Sequence, residues 1–390
     1  MIGVLLGGSC LALAQAAIKG TPTAFAGHAV VNVQELAEQE KLHPSVSSHL
    51  ATPVPEMRQP DLQVPPGAPT IYLTKGRNAA AATPSGSASQ PASPQSSSLA
   101  PFSPVARFSF AGTSDNSLRI PPSAQAAVNA TYLVETVNGT FTVQNRTGGL
   151  LQTVLMDNFW ASVGGVTGVV NARVVYDPYN SRWIMAAEGN GNTINSVVLI
   201  GVSQNSNPTS TWNLFKVNSD AGSWANFASL GFNANWIAVS MNMFQLNCTT
   251  NCFQQENVYV FNKALLYANN LGTVSKFSDT SGAGTYVPAV TFDNSASTPL
   301  YLLQKWNGNT IDINGNPAGF LRIGSITGTP TTPSLNFQAS FVEFGLPWAF
   351  TGGLNGGFAP QASTTTRIDT DDDRTLSLSY RNGALWGAQT

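Results

Sequence analysis

From about residue 108 onward, apolar and polar residues alternate in short runs bounded by Gly, Asn, Pro and Ser, the period-two pattern of half-buried strands. Within that pattern a module recurs: a strand ending in Tyr-Asp or Phe-Asp, a tight polar turn, then an aromatic-rich strand. Arg173 to Asp177 turns into Trp183, and Val290 to Asp293 turns into Leu300. Weaker copies run from Ser229 to Asn233 into Trp236, and from Leu376 to Asn382 through Gly383 into Leu385 and Trp386. Short strands recurring about every 50 residues predict a radial array of sheets. The expected fold is all-β, a β-propeller of four-stranded antiparallel blades.

Marking alternation and turns divides the chain into units. Strands starting near Tyr132, Thr140 and Leu150 form the first, and strands near Ala172, Trp183, Ser196 and Trp212 form the second. A third unit starts its strands near Ala228, Trp236, Asn257 and Thr273, a fourth near Ala289, Leu300, Phe320 and Leu335. The last begins at Leu376 and supplies two strands before Thr390. This count predicts a propeller over 105–390 that is truncated at the C-terminus, an open ring in which strands of 108–150 do not pair with strands of 376–390.

Residues 1–19 read as a secretory signal. The apolar run from Met1 to Ala14 is too short to span a bilayer, and a small-x-small site follows at Ala14 and Ala16. The protein is therefore expected to be secreted or held at the cell surface, with no membrane span. Residues 20–104 are rich in Pro, Ala and Ser and lack sustained periodicity, so a disordered tether is expected there. Val33 to Lys41 is a good local helix former, but marginal as an isolated helix.

Only 10% of the 390 residues are charged and the net charge is -2, which leaves no basic footprint for nucleic acid. Cys248 and Cys252 lie close enough for a local disulfide in an oxidising compartment, the alternative being a reduced pair. A zinc site lacks ligands, because His28, His43 and His49 all lie outside the repeats. For the same reason no Ser-His-Asp or Cys-His centre can be assembled within them. No cofactor is expected, with calcium as the open alternative: Asp369, Asp371 and Asp373 offer hard oxygens at alternate positions, although Arg374 and Tyr380 depart from the EF-hand pattern.

In a ring of blades, the loops entering first strands and leaving second strands gather at one mouth, where ligand sites concentrate. That face collects Arg173, Glu188, Trp224, Phe244, Tyr286, Trp306, Asp312 and the stretch Asp369 to Arg374. Glu188 with Asp371 or Asp373 forms the candidate catalytic pair, since glycosidic cleavage needs two carboxyl groups about 5–10 Å apart. Arg173, Trp224, Phe244, Tyr286, Trp306 and Arg374 are the candidate binding residues. The competing reading makes Glu188 a solvated strand end and the acidic run a plain loop. The Asp177 turn falls on the opposite face and reads as a structural hairpin. Three functions fit: a module that recognises a glycan or an extracellular protein partner, a carbohydrate-active hydrolase or lyase, and a structural extracellular scaffold. The first is preferred.

Several motifs together carry a resemblance: Asn138 to Gly149, Asn158 to Trp160, Tyr176 to Trp183, Gly231 to Asn233, Tyr259 to Lys263, Val287 to Asp293 and Tyr380 to Trp386. In this order they resemble a family of uncharacterised, secreted bacterial β-propeller proteins, over about 108–390. The resemblance implies a fold and a secreted habit, with no assigned reaction. More distantly, Asn207 to Trp212 is similar to the Asp-box turn of sialidase-like propellers, in which Asn207, Thr211 and Trp212 fit and Asn205 and Thr209 depart. That similarity implies a structural turn between a third and a fourth strand.

Overall fold

The computed structural model describes residues 17–43, 62–65, 67–72, 108–114, 122–137, 139–249, 252–312, 314–344, 361–366 and 373–389. The N-terminal part contributes β1 (Ile18–Lys19), β2 (Thr21–Thr23), β3 (Gly27–Asn32), α1 (Val33–Leu42) and β4 (Thr70–Tyr72). A meander follows of β5 (Gln125–Val128), β6 (Tyr132–Val137), β7 (Thr140–Asn145) and β8 (Leu150–Leu155), closed by α2 (Met156–Ala161). The second meander is β9 (Val170–Asp177), β10 (Arg182–Gly189), β11 (Val197–Ser203) and β12 (Thr211–Asn218). The third is β13 (Ser223–Phe232), β14 (Trp236–Gln245), β15 (Phe253–Asn262) and, after α3 (Lys263–Tyr267), β16 (Val274–Asp279). The fourth runs through β17 (Val287–Pro288), β19 (Leu300–Ile311), β20 (Pro317–Thr329) and β21 (Thr332–Phe344), with β18 (Val290–Thr291) inserted after β17. The hairpin β22 (Thr375–Arg381) and β23 (Ala384–Gln389) comes last.

The fold is all-β, and neighbours within each meander pair antiparallel. Four consecutive strands are the recurring unit, yet the sheets contain four, five, six and eight strands rather than a uniform four. Two additions account for the excess. N-terminal strands pair onto the fourth strands: β3 onto β12, β2 onto β16, and β1 with parallel β4 onto β21. On the inner side, β18 joins β13 to β22 through parallel contacts, which brings β22 and β23 into the third sheet. As expected, the strands of 125–155 and those of 375–389 lie in different sheets.

The expectation of a disordered tether over 20–104 is corrected by β2, β3 and α1, all of which are ordered. Residues 73–104 lie outside the described residues. Composition misled here because these strands need no core of their own. Their backbone groups are satisfied by a sheet edge that already exists. The marginal helix is likewise held from outside. Asn32 caps α1 by accepting the N–H groups of Gln34 and Glu35, Val33 and Ala37 are buried, and the Glu40 carboxylate accepts the Leu155 N–H at 3.0 Å. Residues 1–16 of the expected signal are outside the described residues, and Ile18 and Lys19 pair with Leu335 and Ser334. Among the described residues, no helix is long and apolar enough to cross a membrane.

The sheets stack in chain order, each sharing a core with the next. Phe141, Phe159, Trp183 and Trp212 pack between the first and second meanders. Ile200, Phe215, Val239 and Tyr259 pack between the second and third, and Val258, Tyr286, Leu302 and Ile323 between the third and fourth. The third and fourth meanders approach closely at Gly231 on β13. The Phe232 N–H donates to the Ala289 carbonyl at 3.0 Å, and a Cβ on Gly231 would collide with the carbonyls of Pro288 and Ala289.

Two of the sequence motifs act as turns. Asp177 is buried and accepts the N–H groups of Tyr179 and Asn180, as a structural hairpin requires. The stretch Asn205 to Ser210 lies between β11 and β12, where Asn207 accepts from the Thr209 N–H and the indole of Trp212, already in β12, donates to the Pro208 carbonyl.

Candidate functional site

The site is set by two irregularities facing each other across neighbouring sheets. On β10 the register against β9 shifts between Ala186 and Glu188, and on β13 the register against β14 shifts between Asn226 and Ser229. A bulge turns backbone groups and side chains out of the regular ladder. Within the second bulge Phe227 has a φ of 61°, a left-handed conformation that costs a bulky residue energy. The result is that Ala228 presents both its N–H and its carbonyl to the neighbouring sheet. Its N–H donates to Glu188 Oε2 at 3.1 Å, and its carbonyl accepts from Arg173 Nε at 2.9 Å.

Asn171, also at positive φ, completes the bridge. Its amide donates to Glu188 Oε1 at 2.5 Å and to Asn226 Oδ1 at 3.0 Å, while its own oxygen accepts from Ser123 at 2.6 Å. Glu188 is 0% exposed. Burial pushes its carboxyl up to about 7, against the opposing hydrogen bonds and the Arg173 charge. Burial also lowers Arg173, with Glu188 opposing and Arg374 adding to the effect. The guanidinium carbons of Arg173 and Arg374 stand 5.0 and 4.2 Å from the centre of the Phe227 ring.

A second buried carboxyl repeats the arrangement one sheet further on, and the sequence reading missed it. Glu256 on β15 accepts the N–H groups of Thr285 and Tyr286 at 2.9 and 3.2 Å. Burial pushes it up to about 8, with Asp279 adding to the rise and Arg374 opposing it. It belongs to a polar row across four strands, in which Asn226, Asn242, Glu256 and Asp279 stand in register. All four residues lie just beyond the ends of the predicted strands of that unit, so the strand pattern gave no signal for the row.

The remaining predicted residues are distributed around this cluster. Asp373 is bound to Lys305 at 2.7 Å, with both side chains mostly buried, and Asp371 lies outside the described residues. Tyr286 is buried and donates to the Phe337 carbonyl. Trp306 lies under Arg322, whose guanidinium carbon is 4.1 Å from the ring centre, and Arg322 in turn pairs with Asp279 and Gln304. Trp224 and Phe244 pack together at 5.5 Å beside Leu246 and Phe253, next to the Cys248–Cys252 disulfide. Of the six residues read as ligand-binding, five are buried and Arg173 keeps partial exposure. Asp312 is half-exposed in a turn, where hydrogen bonds from Asn316 and Asn314 lower its carboxyl below the usual range.

Chemically, the cluster joins sheets. The Glu188 oxygens are met by donors of the protein itself, and no face of the carboxyl is open to a substrate. Among the described residues, no group of three or more His, Cys, Asp or Glu could hold a metal ion, and the calcium alternative falls on Asp369 and Asp371, outside those residues.

Neither a protein-family model nor a curated protein matches the chain. Among solved structures, an apocarotenoid oxygenase of Synechocystis is similar at 8% identity and a TM-score of 0.33, covering 68% of this chain and 59% of that one. An exo-beta-1,3-galactanase of Clostridium thermocellum is similar at 9% identity and a TM-score of 0.20, covering 56% and 63%. The chain thus spans about three fifths of the length of each.

Proposed function

We propose that this chain is a β-propeller-type module, secreted or displayed at the cell surface, that recognises a glycan or an extracellular protein at the mouth of the stacked sheets. The observation that carries the reading is the fate of Glu188. A general acid or nucleophile must reach the substrate, and this carboxyl is fully buried and occupied by Asn171 and Ala228. Its proposed partner Asp373 is held by Lys305. Carboxyl groups committed in this way favour recognition over hydrolysis. Arg173 is the one candidate binding residue that keeps partial exposure, and a guanidinium suits carboxylate or hydroxyl groups of a partner. The disulfide supports an oxidising compartment. The sequential stacking of four-strand meanders supports the propeller.

The test is a glycan array probed with labelled full-length protein, alongside Arg173→Ala. Saturable binding to a restricted set of glycans that weakens in the variant supports the reading. Failure to bind any glycan moves it to a protein partner, tested by cross-linking on intact cells; failure of both contradicts it.

A further inference from the structure

The cluster around Glu188 holds more hydrogen-bond donors than it uses. Its acceptors are engaged. The Glu188 oxygens take the Asn171 amide and the Ala228 N–H, and the Ala228 carbonyl takes Arg173 Nε. Asn226 Oδ1 takes both the Asn171 amide at 3.0 Å and the Phe227 N–H at 2.8 Å. Two donor groups are left over. Asn226 is 2% exposed, and its Nδ2 has no hydrogen-bond partner among the described residues. The two donors that meet Oδ1 fix which end of this amide is nitrogen, so exchanging the ends brings no relief. Its cross-strand neighbour Asn242 cannot accept from it, because Oδ1 of Asn242 takes the Thr285 N–H at 2.8 Å while its Nδ2 donates to the Thr285 hydroxyl. Arg173 uses Nε, and its two terminal nitrogens bond to no described residue.

Both leftover groups flank Phe227. Asn171 and Arg173, two apart on β9, reach Asn226 and Ala228, the residues on either side of it. The Arg173 guanidinium also stands at the Phe227 ring, as does that of Arg374, which is buried and whose charge lowers Arg173. Two like charges at one ring repel each other. The nearby carboxyls offset them only in part near neutrality, since burial pushes Glu188 up to about 7 and Glu256 up to about 8. Asn171, Asn226 and Ala228 are buried, whereas Arg173 and Phe227 are half-buried. The spot is therefore closed behind and open at Phe227.

We propose that the β13 bulge holds a small monovalent anion, chloride being the simplest, which accepts from Asn226 Nδ2 and from the terminal nitrogens of Arg173 beside the Phe227 ring. The ion supplies the acceptor that the buried Asn226 amide lacks, and its charge offsets the two guanidiniums. A water molecule would satisfy the amide but leave the repulsion between the arginines in place. A second negative charge on the ion would face the Glu188 and Glu256 carboxyls, which restricts the site to a monoanion. The site does not rest on the recognition of a glycan or a protein, and its test uses neither.

The test uses full-length protein in sodium gluconate, whose anion is too bulky for the bulge, and follows added chloride by chlorine nuclear magnetic resonance, in which bound ion broadens the line. Expected is excess broadening that saturates with chloride and is reversed by nitrate. Two variants locate the site. Asn226→Asp places a carboxylate oxygen where Nδ2 stands and so supplies the charge from within the chain. Arg173→Met removes the terminal nitrogens and keeps the stem. Each should weaken chloride binding by about tenfold or more, as loss of a charge-assisted hydrogen bond does, with an unchanged circular dichroism spectrum. In gluconate Asn226→Asp should also melt no lower than the wild type, an outcome that a purely space-filling Asn226 would not give. If Asn226→Asp misfolds, Arg173→Met carries the comparison. No excess broadening in the wild type, which leaves water alone in the bulge, or unchanged broadening in a folded variant overturns the proposal.

Discussion

Glu188 and Ala228 belong to different sheets, and the Glu188 carboxyl accepts the Ala228 N–H at 3.1 Å while Arg173, from the same sheet as Glu188, donates to the Ala228 carbonyl. One residue is thus held through both of its backbone polar groups, and the register shifts at Glu188 and Phe227 present them. Glu256 with Thr285 and Tyr286 forms a second tie of the same kind.

These ties give stability an unusual pH dependence. Both carboxyls titrate higher in the folded protein, about 7 for Glu188 and about 8 for Glu256, than their ordinary 4.5. Below about pH 4.5 both are protonated whether folded or unfolded, and neither opposes folding. As pH rises past 4.5 the unfolded chain releases its protons first, so stability falls until the folded-state values of about 7 and 8 are passed. Glu188→Gln should therefore be nearly neutral at pH 5 and stabilising at pH 8.5, by an amount on the order of 3 kcal/mol at most. Urea unfolding of both proteins at the two pH values checks this. A variant equally destabilised at both would contradict it.

The buried pair of Asp177 and Lys263, 3.0 Å apart, joins the second meander to α3, and Tyr267 also donates to Asp177. Asp177→Ala strands an ammonium in the interior and should cost about 3–5 kcal/mol. Adding Lys263→Met should recover part of that loss, which a double-mutant cycle by chemical unfolding measures.

Gly231→Ala should be poorly tolerated, because its methyl group would meet the backbone carbonyls of Pro288 and Ala289, which cannot swing aside like a flexible side chain. A loss of a few kcal/mol is expected, on the order of other overpacked sites. An unchanged melting temperature would place the third and fourth meanders further apart than described.

What the sequence revealed and what it hid follow from the range of the interactions. Local alternation and turn chemistry marked the four-strand meanders, and the Asn205 to Ser210 turn sits between third and fourth strands as its residues implied. The first meander gained β5, whose short Gln125–Val128 run carries little alternation to detect. The strands β1, β2 and β3 were hidden because they draw their stability from edges nearly 200 residues or more away along the chain, not from their own composition. Glu188 and Arg173 were legible separately, as a candidate acid and a candidate binding residue of the predicted mouth, in a chain with only 10% charged residues. Their partner Ala228 was not, because its role lies in the backbone and in a bulge that no residue type announces.

Cys248 and Cys252 have Cα atoms 5.5 Å apart and form a disulfide closing a loop of about five residues. Removing it with the Cys248→Ser/Cys252→Ser pair should cost about 2 kcal/mol by the loop-entropy estimate. Thiol titration under denaturing, non-reducing conditions should find neither cysteine free, and two free thiols at these positions would refute the bridge.

The central claim is that Glu188 ties sheets together and takes no part in bond cleavage. Its most direct test is the hydrolysis of a panel of chromogenic glycosides by the wild-type protein and by Glu188→Gln, assayed from pH 5 to 8. Neither protein should release chromophore above the buffer rate at any pH. Turnover by the wild type that Glu188→Gln abolishes while remaining folded would contradict the claim.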